Sequence, residues 1–433
     1  MKLCFVNQPW TIAAPPQGSD STGIWSYQIG NRLARRCQVT YYGCISESNY
    51  EKNPQLNSDL ASQIQYREIA PKIDKLLKIP RKIVNQLSFK SKLPYFGSTW
   101  FNLGYGWQIA KDCAREDYDI IHIHNFSQFV PIIRDRNSEA KIVLHLHCEW
   151  ANRLDKEAIA PRLSKADLVI SCSDYVTNKI RTRFPEYASI CATVNNGVDA
   201  DYFVPGDEDD RQHDGTAPQI LFVGRISPEK GIHDLIDAFI KISEKYPQVE
   251  LTIAGPNLVV SREFLFDLQH EPEVQALEPF YSINYLEYIK SKIPAHLSER
   301  VIFTGSLPQQ ELLPYYQKAD VVINPSLSEA FGMSLVEAMA TQTPVVATEI
   351  GGMPEIVDDG VTGRIVEPGN PQALADATIE IISNPERARA MGIAGRSKVL
   401  QCYCWSKIAE SLVDTYTDIG VNFESKVFEK AIA

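Results

Sequence analysis

The chain has 433 residues, of which 44% are hydrophobic and 22% charged, and a formal net charge of −11. Such a length exceeds one ordinary core of ~100–200 residues, so two or more domains are expected. The acidic balance argues against a nucleic-acid partner, no apolar run reaches the ~18 residues of a membrane span, and the N-terminal MKLCFVNQPW lacks the make-up of a signal peptide.

Taken in order, short apolar runs of strand length alternate with helical stretches. KLCFVNQ (2–8), QVTYYGC (38–44), DIIHIHN (119–125), KIVLHLH (141–147) and LVISCS (168–173) are the strands of a first half. WSYQIGNRLARR (25–36) has helical spacing, with Ile29 and Leu33 four apart. Residues 66–94 carry eight Lys/Arg against two acidic residues, with Ile69, Ile73, Leu76 and Leu77 on one helical face. This reads as a basic amphipathic helix, either docked on its own domain or lying on an anionic membrane surface. VPGDEDDRQHDGTAP (204–218) has no periodicity and many charges, so it reads as a linker, and Asp207-Glu208-Asp209 in it as a solvated acidic run.

The second half repeats the alternation with QILFVGRI (219–226), VELTIAG (249–255), RVIFTGS (300–306), DVVINPS (320–326) and TPVVAT (343–348). Residues 257–298 are long for one crossover and read as a subdomain or an insertion facing an acceptor. Continuous apolar strands between helices predict two parallel sheets covered on both faces, an α/β fold of two doubly wound Rossmann-like domains. The expected division is 1–205, a linker at 206–217, 218–404, and a C-terminal helix from 405. Ligands of such sheets sit beyond the C-terminal ends of the strands. The nine cysteines are scattered without a CxxC pair and read as reduced thiols of a cytosolic protein, with Cys148 and Cys172 in buried strands.

Chemistry concentrates after three of these strands. SEAFGMSLVEAMA (328–340) starts as a loop and ends as a helix, with Glu329 in the loop and Glu337 about one turn into the helix. The helix start near Gly332, Met333 and Ser334 offers unpaired N–H groups and a positive dipole end. Gly224-Arg225-Ile226-Ser227-Pro228-Glu229-Lys230-Gly231 places two cations, Arg225 and Lys230, at another strand end. Two cations and a helix N-terminus suit a diphosphate held as a leaving group. Gly351-Gly352 forms a third rim loop. The pairs HIH (122–124) and HLH (145–147) also fit a metal cluster, given a carboxylate on the same face.

FVGRISPEKG, PSLSEAFGMSLVEAMATQTPVVAT and GGMPEIVDDGVTGRIVEPGN together resemble the retaining glycosyltransferases of family 4, with the GT-B fold. NNGVDADYFVP (195–205) and CWSKIAESLVDTY resemble family segments as well. The resemblance implies two domains facing across a cleft and a last helix that crosses back to the first domain. It implies transfer of a hexose from a nucleotide-diphosphate sugar to an acceptor hydroxyl, with no metal or other cofactor required. UDP-glucose or UDP-N-acetylglucosamine is the expected donor, giving an alpha-glycosidic bond. GDP-mannose, and a binding module without transfer, are the alternatives.

By this similarity Arg225 and Lys230 bind the pyrophosphate, Glu329 and His147 serve the donor sugar, and Gly224 lies at the same rim. Phe331, Gly332 and Met333 supply backbone contacts to sugar hydroxyls, Ser334 meets a phosphate, Glu337 the ribose, and the turn Gly305-Ser306-Leu307 the base. His145 ranks behind His147. The loop PPQGSDSTGIWS (15–26) departs from the family's Gly-Gly pair, leaving Gly23 in the expected place with Thr22 beside it. The acceptor is a saccharide, a lipid-linked sugar or a small metabolite. The expected location is the cytoplasm, with peripheral contact to the inner membrane face through 66–94.

Overall fold

The computed structural model describes residues 1–12, 21–44, 63–70, 74, 93–206 and 217–423. Two compact units divide the chain, Met1–Asn195 with Ser406–Ala433, and Asn196–Trp405.

The first unit holds a seven-stranded parallel sheet. Its strands are β1 (Lys2–Val6), β2 (Gln38–Cys44), β3 (Ile64–Ile69), β4 (Ile120–His124), β5 (Lys141–Leu146), β6 (Leu168–Ser171) and β7 (Cys191–Thr193), in the order β3-β2-β1-β4-β5-β6-β7. β4 is buried along its whole length, as the run IIHIH requires of a central strand covered on both faces. The strand order reverses between β1 and β4, the point where doubly wound sheets place their ligands. Tyr416, on the C-terminal helix Trp405–Asp418, is fully buried within this unit.

The second unit holds a six-stranded parallel sheet, β10-β9-β8-β11-β12-β13. Its strands are β8 (Gln219–Val223), β9 (Glu250–Ala254), β10 (Val301–Gly305), β11 (Val321–Asn324), β12 (Val345–Thr348) and β13 (Gly363–Val366). The helix Ile232–Lys245 buries Ile232, Leu235, Ile236, Phe239 and Ile242, one apolar stripe at helical spacing, against this sheet. Here the order reverses between β8 and β11, so the loops after these two strands share one rim.

Three differences from the sequence reading stand out. Tyr66–Ile69 begins the basic stretch not as a helix but as part of edge strand β3, where Arg67 pairs with Asp112 at 2.7 Å and Glu116 at 2.6 Å. Ile64 and Ile69, on opposite faces of the strand, are buried, while Gln65 and Glu68 are exposed. Most of 71–92, residues 207–216 with the acidic run Asp207-Glu208-Asp209, and 13–20 with Gly18, lie outside the described residues. Gly23 lies not in a loop but in the first turn of the buried helix Ser21–Leu33. Cys148 is half-buried just past β5 rather than inside a strand, while Cys172 is buried just past β6. All nine cysteines are free thiols.

Residues 257–298 fold as short helical turns and the helix Tyr285–Lys292. They brace two rim loops. Gln269 Nε2 donates to Ser328 Oγ at 2.9 Å, and Val260 N donates to Ser227 Oγ at 3.3 Å. Phe266, Val274 and Leu277 form a small apolar cluster with Leu327.

Candidate functional site

The rim of the second unit is built by the loops after β8 and β11. Ser227-Pro228-Glu229-Lys230 makes a single tight turn closed by Gly231 at φ +64. A Cβ there would strike the carbonyl of Pro325, so glycine alone lets the two loops touch. Leu327 N donates to Glu229 O at 2.8 Å, which joins the loops through the backbone.

Lys230 and Glu329 meet on this rim. Lys230 Nζ lies 2.7 Å from Glu329 Oε2, with the side chains 16% and 18% exposed. Burial alone pushes the Glu329 carboxyl up, but the Lys230 ammonium, the Phe331 N–H and the Arg225 charge hold it below the ordinary glutamate value. Arg225 is anchored through Glu229, 3.1 Å away, a carboxylate buried at 1% exposure. Ser227 Oγ donates to the other Glu229 oxygen. Glu229 is thus the counter-ion that fixes the guanidinium while leaving it partly exposed, a role its place in the PEKG turn did not reveal.

The helix Met333–Ala340 starts at Gly332, φ +115, in a loop where Phe331 is buried against Tyr403. Phe331 therefore offers its backbone and not its ring. Ser334 Oγ accepts from Asn324 Nδ2 at 3.4 Å. Glu337 is buried, receiving hydrogen bonds from Tyr316 Oη at 2.6 Å and Gln309 Nε2 at 2.7 Å. Its burial outweighs these two donors and raises its carboxyl above the ordinary value. Tyr316 and Gln309 are partners that spacing along the chain does not reveal. Leu307 follows the positive-φ Gly305 on the turn after β10, and Gly224 follows β8.

Gly351, φ +62, backs this arrangement, since a Cβ there would collide with the Glu329 carbonyl. Gly351→Ala is expected to lower stability by about 2 kcal/mol or more, through positive-φ strain and a forced shift of the Glu329 loop. Thermal or urea unfolding of the variant checks this, and an unchanged midpoint would show that the loop yields freely.

The first unit carries a second polar cluster. His122, His124, His145 and His147 cluster with neighbouring ring centroids 4.0–5.5 Å apart, tilted or edge-on to one another, and Trp25 stands 4.6 Å from His145. Ring nitrogens of His122, His124 and His145 lie within 4.8 Å of one another, a spacing open to a metal ion. The group includes no carboxylate, and His122 and His124 each spend both nitrogens in hydrogen bonds. His122 Nδ1 meets Tyr416 Oη at 2.6 Å, and His122 Nε2 meets His145 Nδ1 at 3.1 Å. Burial first, then neighbouring ring charges, holds all three well below the usual imidazole value, so they are neutral. This chemistry fits hydrogen-bonded chains better than a cation without anionic ligands. His147 lies just past the end of β5, its N–H donating to Asn125 Oδ1 at 2.7 Å.

A family model described as glycosyl transferases group 1 matches residues 206–398, and one described as glycosyltransferase family 4 matches 26–202. The chain is 26% identical over 420 residues to the lipopolysaccharide 1,2-N-acetylglucosaminetransferase of Salmonella typhimurium, covering 94% of this chain and 96% of that protein. Among solved structures it resembles sucrose-phosphate synthase from Thermosynechococcus elongatus, with TM-score 0.68, 21% identity, and 96% and 98% of the two chains covered. It also resembles HepE from Anabaena in complex with UDP and glucose, with TM-score 0.65, 19% identity, and 96% and 100% covered. One family model accounts for most of each sheet-bearing half, and the likeness to both solved structures runs almost end to end. The chain belongs to the group 1, family 4 glycosyltransferases and has their two-domain GT-B fold.

Proposed function

We propose that this glycosyltransferase moves a hexose from a nucleoside-diphosphate sugar to an acceptor hydroxyl with retention at the anomeric carbon, forming an alpha-glycosidic bond. A UDP-sugar, UDP-glucose or UDP-N-acetylglucosamine, is the donor. The observation that carries the reading is the shared rim of β8 and β11, where Arg225 and Lys230, each held by a carboxylate, and the start of Met333–Ala340 lie on adjoining loops. A departing diphosphate gains negative charge, and fixed cations stabilise it most where water is excluded. Glu329 faces the sugar and Glu337 the ribose hydroxyls, each carboxylate being an acceptor for hydroxyl donors. Arg225, Lys230 and Glu329 act in the transition state, when the ring carries oxocarbenium character. His147 orients a sugar hydroxyl, and the acceptor proton passes to the departing phosphate on the same face.

The choice of UDP and glucose is supported by the UDP and glucose bound in HepE, and that of N-acetylglucosamine by the N-acetylglucosaminetransferase relative. Thermal melting with UDP, GDP, ADP and their common sugars, in wild type and Glu337→Ala, tests the reading. UDP is expected to raise the midpoint in wild type, a ligand at 100 times its Kd adding about 2.7 kcal/mol, and to lose that shift in the variant. A shift with GDP alone would move the assignment to a mannose donor. No shift with any nucleotide would overturn it.

A further inference from the structure

His147 is joined to the interior through one chain of polar atoms. His147 Nε2 lies 2.9 Å from His124 Nδ1, and His124 Nε2 lies 2.9 Å from Ser26 Oγ. Ser26 Oγ in turn lies 2.6 Å from Asn7 Oδ1 and 2.9 Å from the Thr22 carbonyl. A hydroxyl has one proton to give. Both oxygens facing Ser26 can only accept, and 2.6 Å is an O–H···O distance, so the proton goes to one of them. Ser26 is then the acceptor toward His124, whose Nε2 carries the proton. His124 is fully buried and neutral, so its Nδ1 carries none and must accept. The only donor left for that contact is the Nε2–H of His147.

We propose that the chain Asn7–Ser26–His124 locks the neutral His147 ring into the tautomer protonated at Nε2, which makes Nδ1 the acceptor nitrogen of that ring. His124, Ser26 and Asn7 are positioning residues, acting on the reaction through His147 alone. The functional consequence rests on the reading above, that His147 meets a hydroxyl of the donor sugar. The ring then takes a hydrogen bond from that hydroxyl and gives none, which fixes the orientation of the hydroxyl before transfer. A second chain, from Tyr416 through His122 to His145, runs beside the first without touching its tautomer logic; it ends at His145 Nε2, which has no hydrogen-bond partner among the described residues.

Histidine-selective nitrogen labelling of the full chain, with long-range proton–nitrogen correlation, reads the tautomers directly. The expected wild-type result is Nε2–H at both His124 and His147. Ser26→Ala, which removes the acceptor that pins His124, is expected to give mixed tautomers at both rings, while Asn7→Asp, which keeps an acceptor for Ser26, retains Nε2–H. Hydrolysis of UDP-glucose, read in the same variants, is expected to fall about tenfold in kcat for Ser26→Ala with little change in KM, the scale on which loss of an orienting partner weakens a histidine site. A wild-type His147 protonated at Nδ1, or tautomers unchanged in Ser26→Ala, would overturn the inference. Tautomers that respond while neither Ser26→Ala nor His147→Ala alters turnover would leave the lock standing and overturn the role given to His147.

Discussion

Lys230→Ala is expected to cut turnover about a thousandfold, roughly 4 kcal/mol of barrier, on the proposed reading in which its ammonium stabilises the departing phosphate. The same substitution acts on the fold through Glu329. That carboxylate sits 2.7 Å from Lys230 at 18% exposure, and burial is the largest influence on it. With the ammonium gone, burial dominates and the Glu329 carboxyl titrates upward. In the wild type a carboxyl held below its unfolded value adds stability above that value and loses it as pH falls through the folded one. The destabilisation of Lys230→Ala is therefore greatest near neutral pH and shrinks in acid. Unfolding midpoints at pH 3, 5 and 7 check the trend. The double variant with Glu329→Gln is expected to regain stability without regaining turnover. A gap between wild type and Lys230→Ala that is flat with pH would show that the ion pair adds nothing to the fold.

Glu337→Gln is expected to do the reverse, losing nucleotide affinity while gaining stability. Glu337 is buried without a cation among its named partners, and ionising it costs more in the fold than in the unfolded chain. A raised carboxyl penalises the native state once pH climbs above the unfolded value, and the penalty grows until the folded value is passed. Removing the charge should stabilise the protein by about 1 kcal/mol at neutral pH and by nothing at low pH. Tyr316 keeps its acceptor, the amide oxygen, and Gln309 on the rim turns toward water. Melting across pH, with and without UDP, separates the two effects. A variant less stable than wild type at pH 7 would mean that the carboxylate is well compensated where it stands.

Much of this was legible in the sequence for physical reasons. Central parallel strands such as β4 and β11 are short runs dominated by Ile and Val, the composition of strands covered on both faces. The rim residues were legible because glycine and proline mark the turns that carry them. What escaped was either short or distant. β7 has three residues, β13 is GRIV with a glycine and an arginine in its four positions, and edge strand β3 carries Arg67 and Glu68 side by side at the head of a stretch with helical apolar spacing. Glu229 had no role assigned from its place in the turn, yet it is the buried counter-ion of Arg225. Ser26 and Asn7 belong to His147 only through contacts made across the sheet, and Tyr416 reaches His122 from 294 positions away. Spacing along the chain carries no trace of such pairs.

That last contact governs the order in which the molecule can be completed. The first unit takes its buried Tyr416 from beyond Trp405, after the whole of the second unit has been synthesised. On the ribosome, residues 1–195 therefore emerge with His122 lacking its phenol partner and with an apolar site uncovered, and they wait in that state while about two hundred more residues are added. The second unit, continuous in sequence, is free to fold first. Truncation at the boundary between the units would leave the first half permanently unfinished, whereas the second half could stand alone.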